Sequence, residues 1–260
     1  MKILFVTQED PFYIKNFFAK FLEQYPHLGE IDGVVLCRTM GEGPVMLARR
    51  IWNFFGPVGF VRMGLRYVTN KVCGRVFGAL RIKKFFDLRQ ALHFYGVETT
   101  GCDDVNDASF VEGIKARNVD LIISVAAPQK FDKPLLDAAP LGCINIHNAR
   151  LPSYRGMLPN FWNLYNGEES SAITIHRMDE DLDRGEIILQ ELFALNPHES
   201  LDNLMKRTKA LGAKFMIAAV EKMREGKVEY LPYPDVPATY YSFPTLSDVK
   251  EFRRRGKRIL

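Results

Sequence analysis

Asn145 and His147 stand two apart in the run Cys143-Ile144-Asn145-Ile146-His147. On a strand that spacing puts both on one face, with Ile144 and Ile146 on the other. An amide donor beside an imidazole can hold a carbonyl oxygen and stabilise the negative charge that develops on it when a nucleophile attacks. Further along, Asp179, Glu180, Asp181 and Asp183 place four carboxylates in five positions, closed by Gly185. A carboxylate near His147 would orient the ring, raise its pKa and relay a proton through water. Together the two elements read as an acyl-transfer constellation that needs no covalent nucleophile. Cys143, just inside the strand, reads as a small core residue. His176 reads as structural or surface, and His27, His93 and His198 as surface residues.

These residues need a scaffold that brings strand ends together, and the hydrophobic pattern supplies one. Lys2–Thr7, Ile31–Cys37, Val97–Thr99, Asp120–Val125 and Gly142–His147 read as strands. Helices are expected over about 12–25, Phe86–Tyr95 with Gly96 as its stop, Ala108–Arg117 and Lys133–Ala138. Strands alternating with helices predict an α/β domain with a largely parallel sheet. In such sheets ligands bind beyond the carboxyl ends of the strands, where Asn145 and His147 fall. Ile173–Arg177 and Glu186–Phe193 add two strands, and Ser200 caps a long helix to Arg224. A tail rich in Pro and Tyr, Tyr230–Pro244, precedes a short helix capped by Thr245.

A chain of 260 residues, 47% of them hydrophobic, can bury a core without staples, which excludes disordered and fibrous classes. The four cysteines are scattered, with no CxxC pair for zinc and no disulfide framework. The apolar run before Gln8 is too short for a signal peptide, so a reduced, cytoplasmic protein is expected. The formal net charge of +4 hides an asymmetry. Gly43 to Phe86 holds nine Arg and Lys and no acidic residue, interleaved with apolar and aromatic side chains, so the rest of the chain is net acidic. A block of that kind suits a phosphate-rich partner or an anionic membrane surface.

The segment INIHNARLPSYRGMLPNFWNLYNGEESSAITIHRMDEDLDRGEIILQ resembles the signature of the folate-dependent formyltransferases. In that family an Asn-x-His pair, an LPxYRG-like loop and a D-x-x-L-D-x-G loop follow one another at about this separation. The likeness extends over roughly residues 1–40 and 85–225. It implies a Rossmann-like core with Asn145, His147 and Asp183 as the catalytic triad and 10-formyltetrahydrofolate as formyl donor. Asn145 and His147 would hold the formyl oxygen, and Asp183 would tune His147 and assist proton removal from the attacking amine. Val125, Ala126 and Ala127, with Leu151 and the Asp179, Asp181 and Asp183 loop, would line the pterin pocket.

The expected organisation is a catalytic domain over 1–225, a helical basic insert at about 41–84 and a short C-terminal extension over 226–260. Members acting on methionyl-tRNA carry a further C-terminal barrel, and only some 35 residues follow the long helix here, which disfavours tRNA. Elimination points to a small amine acceptor, a nucleotide-linked amino sugar. The alternatives are a formyltetrahydrofolate hydrolase and a binding protein that keeps the fold without catalysis. For the insert the readings are phosphate binding, peripheral membrane contact, homodimerisation, or helices that cap the domain with their charges in solvent.

Overall fold

The computed structural model describes residues 1–38 and 43–260. Seven strands form the main sheet: β1 (Ile3–Gln8), β2 (Ile31–Cys37), β3 (Thr99–Cys102), β4 (Leu121–Val125), β5 (Cys143–His147), β7 (Ser170–Arg177) and β8 (Ile187–Ala194). A small second sheet pairs β6 (Arg155–Gly156) with β9 (Tyr240–Tyr241). The helices are α1 (Ile14–Gln24), α2 (Pro44–Ala79), α3 (Leu88–Phe94), α4 (Ala108–Ala116), α5 (Lys133–Leu136), α6 (Pro159–Asn166), α7 (Leu201–Arg224) and α8 (Leu246–Arg254).

The sheet order is β3-β2-β1-β4-β5-β7-β8, parallel from β3 to β5 and antiparallel from β5 to β7 and β7 to β8. Alternation along each strand sorts the core into two layers. Phe5, Ile123, Ile144 and Ile146 face α1 and α7, where Phe17, Phe18 and Phe21 pack around Phe5. Leu4, Val6, Ile122 and Cys143 face α4 and α5. The order reverses between β1 and β4, which opens a crevice at the carboxyl ends of the strands, beside the end of β5.

Two segments differ from the sequence reading. The strand expected at Val97–Thr99 begins only at Thr99, because the Val97 N–H closes α3 on the Leu92 carbonyl at 2.9 Å, with Gly96 in a left-handed turn. Helix α6, unanticipated, follows Pro159 and ends at Gly167, the pairing of first-turn Pro and terminal Gly that marks helix limits. The basic insert forms α2, which breaks at Gly56 (φ 72°) before Pro57. Its first positions, 41 and 42, lie outside the described residues.

The C-terminal segment packs onto this body. Phe252 of α8 stacks on Phe161 of α6 at 4.6 Å, and both join Phe54 of α2 in a third apolar cluster. Thr239 Oγ1 accepts from the Tyr154 amide, and β9 pairs with β6, so the tail is laced to the loop that follows β5.

Candidate active site

The ladder between β5 and β7 sets Asn145 opposite His176 and His147 opposite Thr174. Directly opposed residues of an antiparallel pair share a face, so the two histidines and Asn145 converge on one side of the sheet end. The Asn145 amide nitrogen lies 3.2 Å from His176 Nε2, and His176 Nδ1 lies 2.8 Å from the Arg177 carbonyl. A carbonyl only accepts, so Nδ1 carries the proton there. In the neutral ring Nε2 is then an acceptor, and Asn145 turns an N–H toward it. His176 is only 2% exposed. It is therefore a buried member of the cluster, a role that its sequence position alone did not reveal.

Asp183 closes the cluster from the loop between β7 and β8. Its Oδ2 is 3.6 Å from His147 Nδ1 and its Oδ1 is 3.6 Å from His176 Nε2. The Gly156 N–H donates to Oδ2 at 2.9 Å. Two close backbone approaches hold this arrangement. Gly156 has φ 94° and a side chain there would overlap the Tyr241 carbonyl, while a Cβ on Gly185 would overlap the Arg177 carbonyl. Asp183 itself takes a left-handed φ of 54°, a conformation short polar side chains tolerate best.

Burial alone would raise the Asp183 pKa, but the facing His147 and His176 imidazoles and the Gly156 N–H together hold it below the usual carboxylate range. For His147 the order is reversed: burial pushes its pKa down and outweighs the upward pull of Asp183 and of the Tyr154 carbonyl, which lies 2.8 Å from Nε2. Asp183 does pull the ring's pKa up, as the sequence reading expects, but burial outweighs it. The physical reason is that the ring is almost wholly removed from water, which penalises the imidazolium. Kept neutral, the ring turns Nε2 to the Tyr154 carbonyl and Nδ1 to Asp183, 3.6 Å away.

The residues expected around a pterin ring fall in two groups. Val125 ends β4 and its carbonyl accepts from Thr7 Oγ1 at 2.6 Å, while Ala126 turns the chain with φ 53° and Ala127 is half-buried. Val125 itself is fully buried in the core, and Ala126 and Ala127 follow it at the carboxyl end of β4. Leu151 instead has its side chain fully buried and its carbonyl accepting from Gln190, so it supports the loop from beneath. Asp179 and Asp181 stay exposed at the rim, and Arg184 pairs with Asp181 at 3.1 Å, pointing away from Asp183. The Cys143 thiol is buried and pushed up to about 12, which suits a core residue rather than a nucleophile.

Two further features border the cluster. Lys209 of α7 is 7% exposed and makes no ion pair among the described residues, yet its charge reaches His147 and its pKa is pushed down to about 8 by burial. A cavity of about 630 Å³ opens at the ends of β2 and β3, lined by Glu9, Arg38, Arg89 and Asp103. It lies on the β1 side of the crevice, away from Asp183.

This geometry accords with what the chain is similar to. The chain belongs to the formyl transferase family, whose domain matches residues 82–220. Among curated relatives, a methionyl-tRNA formyltransferase of Agathobacter rectalis is 32% identical over 64% of this chain and 53% of its own length. One of Syntrophus aciditrophicus is 38% identical over 52% of this chain and 44% of its own length. The chain spans about half the length of the curated relatives it matches. Two solved structures share the fold. A sugar N-formyltransferase from a Shewanella species has TM-score 0.60 at 16% identity, covering 98% of this chain and 87% of that one. A phosphoribosylglycinamide formyltransferase from Streptococcus pneumoniae has TM-score 0.58 at 16% identity, covering 86% of this chain and 98% of that one. Helix α2 lies outside the matched residues 82–220.

Proposed function

We propose that this chain is a folate-dependent N-formyltransferase that moves a formyl group from 10-formyltetrahydrofolate to the amine of a small acceptor, a nucleotide-linked amino sugar. The observation that carries the reading is the cluster of a half-buried Asn145 with the buried His147, His176 and Asp183 at the carboxyl end of β5. It combines a hydrogen-bond donor, a neutral imidazole and a carboxylate held ionised.

The crevice fits the donor on two counts. The buried Asn148 Oδ1, next to His147, has no hydrogen-bond partner, and the left-handed turn at Ala126 presents backbone groups to the space beside it. A pterin ring carries the amide-like donors and acceptors that such groups match. When bound, 10-formyltetrahydrofolate supplies the formyl carbon as an N-acyl electrophile. Val125, Ala126 and Ala127 would hold its ring through their backbone, with Asn145 at the formyl oxygen and His147 beside it. Asn145 keeps one amide N–H toward His176 and has a second free to aim at that oxygen, where negative charge develops. Asp183, ionised and buried, accepts through the space beside His147 the proton that the acceptor amine gives up as its bond to carbon forms. That proton leaves on the departing nitrogen as the old C–N bond breaks.

The acceptor class rests on the likeness in fold to the sugar N-formyltransferase and on Lys209. A cation buried with no ion pair among the described residues, offset only by the more distant charge of Asp10, is costly, and a phosphate on the incoming acceptor would neutralise it. A second reading, methionyl-tRNA as acceptor, is favoured by the sequence relatives, which are methionyl-tRNA formyltransferases. Mass spectrometry distinguishes them. The protein is incubated with 10-formyltetrahydrofolate and either a panel of nucleotide-linked amino sugars or methionyl-tRNA. The gain of one formyl group on a sugar nucleotide supports the reading, and gain on the tRNA alone overturns the acceptor assignment.

A further inference from the structure

We propose that α2 lies flat on an anionic lipid bilayer and docks the protein there as a peripheral membrane protein. The inference is independent of the reaction assigned above and stands on the two faces of this helix.

The inner face is already engaged. Met63 is buried, Gly59 packs near Leu260, and Asn70 Nδ2 donates to the Pro11 carbonyl at 2.9 Å. Arg66 reaches Asp202 at 2.6 Å and sits over the Phe12 and Tyr13 rings. Ahead of the break at Gly56, Phe54 is buried among Phe161, Phe243 and Phe55, and its carbonyl accepts from Arg253. Helix α2 is therefore held to the body along its length and in a defined rotation.

The outer face is apolar as well. Val58, Val61, Leu65, Val68, Val72 and Val76 recur every three or four residues, the spacing of one helical stripe, and all are exposed, Val58 by 73% and Leu65 by 65%. Residues 57–79 span about 35 Å at the α-helical rise, so the stripe is long and continuous, where solvent-facing helices normally turn polar residues outward. Arg62 flanks it on one side and Arg75 on the other, both exposed. No acidic residue occurs from Gly43 to Phe86. No helix among the described residues is long and apolar enough to cross a membrane.

An apolar stripe between rows of cations fits the boundary of an anionic bilayer, with the valines among acyl chains and the arginines at the headgroups. The charge selects this occupant over a second copy of the chain, since two such faces brought together would oppose like charges. Trp52, 49% exposed and packed against Phe60, lies at the end of the stripe. Its amphipathic ring suits the same boundary.

Vesicle sedimentation tests the assignment on the full chain. Wild type is expected to pellet with vesicles of mixed phosphatidylcholine and phosphatidylglycerol, much less with phosphatidylcholine alone, and to be released by salt. The triple variant Val61→Glu, Leu65→Glu, Val68→Glu alters only exposed positions and should lower the partition coefficient at least ten-fold. The pair Arg62→Ser, Arg75→Ser, which leaves the apolar stripe untouched, should lower it several-fold and serves if the triple variant fails to fold. Trp52 should be quenched by brominated lipid, and the other tryptophan, Trp162, is buried and silent in this assay. Wild type remaining in the supernatant with anionic vesicles would overturn the proposal, as would an unquenched Trp52 or variants that pellet like wild type. A dimer split by the triple variant, without vesicle binding, would assign the face to a second copy and overturn it equally.

Discussion

Asn145 and His176 are direct cross-strand partners, 31 positions apart in sequence, with the Asn145 amide 3.2 Å from the imidazole Nε2. The contact orients the amide proposed to hold the formyl oxygen, and a second contact to the Arg177 carbonyl orients the imidazole in turn. His176 is thus a positioning residue, acting through Asn145.

Replacing it should then impair turnover more than binding. His176→Leu removes the acceptor for the Asn145 N–H and frees the amide to rotate. Loss of one such buried hydrogen bond, about 1.4 kcal/mol, corresponds to a roughly ten-fold fall in kcat. The KM for the acceptor should change little, and His176→Gln, whose amide oxygen can take the same N–H, should recover much of the loss. Steady-state kinetics on the three proteins checks the split, and equal kcat for His176→Leu and wild type would remove this role.

The Gly156 N–H is one of the groups that keep Asp183 ionised. Gly156→Ala sets a side chain against the Tyr241 carbonyl at a left-handed φ of 94° and withdraws that N–H. Asp183 loses a stabilising bond to its charged form, so its pKa rises. Activity that depends on the carboxylate should begin to fall at a higher pH than in wild type as the solution is acidified. A pH–rate profile reads the shift, and an unmoved acid limb would count against Asp183 as the ionised partner.

Lys209 offers a stability test whose sign follows from burial. Its folded pKa of about 8 is below the ordinary value of 10.5, so the folded state carries the full cost of a buried charge below pH 8. Between about 8 and 10.5 the unfolded chain binds more protons, and wild-type stability rises with pH. Lys209→Met should therefore stabilise the protein at pH 7 by up to about 3 kcal/mol. That advantage should shrink as pH climbs toward 10.5, the ordinary value. Urea unfolding at pH 7 and pH 10 measures it, and a destabilised variant at pH 7 would contradict the reading.

Much of this architecture is legible in one dimension. The strands β1, β2, β4 and β5 are short apolar runs bounded by polar residues, and Ser200 and Thr245 announce the starts of α7 and α8. Asn145 and His147 stand out by residue type and spacing, and Asp183 is picked from four neighbouring carboxylates by the family resemblance. What stayed hidden depends on register and close packing. His176 enters the cluster only because β7 pairs antiparallel with β5 at one particular alignment, and no local pattern encodes that choice. The depressed pKa of His147 likewise follows from burial under the loop through Tyr154, which the tail at Thr239 and Tyr240 helps hold down. Leu151 turns inward because Gln190 of the neighbouring strand takes its carbonyl, a contact between residues 39 apart.

Formyl transfer to an amine is proposed to need the ionised Asp183, and tetrahydrofolate release in wild type and in Asp183→Asn measures that need. Asn keeps the shape and tolerates the left-handed φ of 54°, so the fold should survive while the proton acceptor is lost. Release in wild type is expected to depend on added amine acceptor and to slow about 10²-fold or more in the variant. Release that proceeds equally without an amine, or at the wild-type rate in Asp183→Asn, would contradict it.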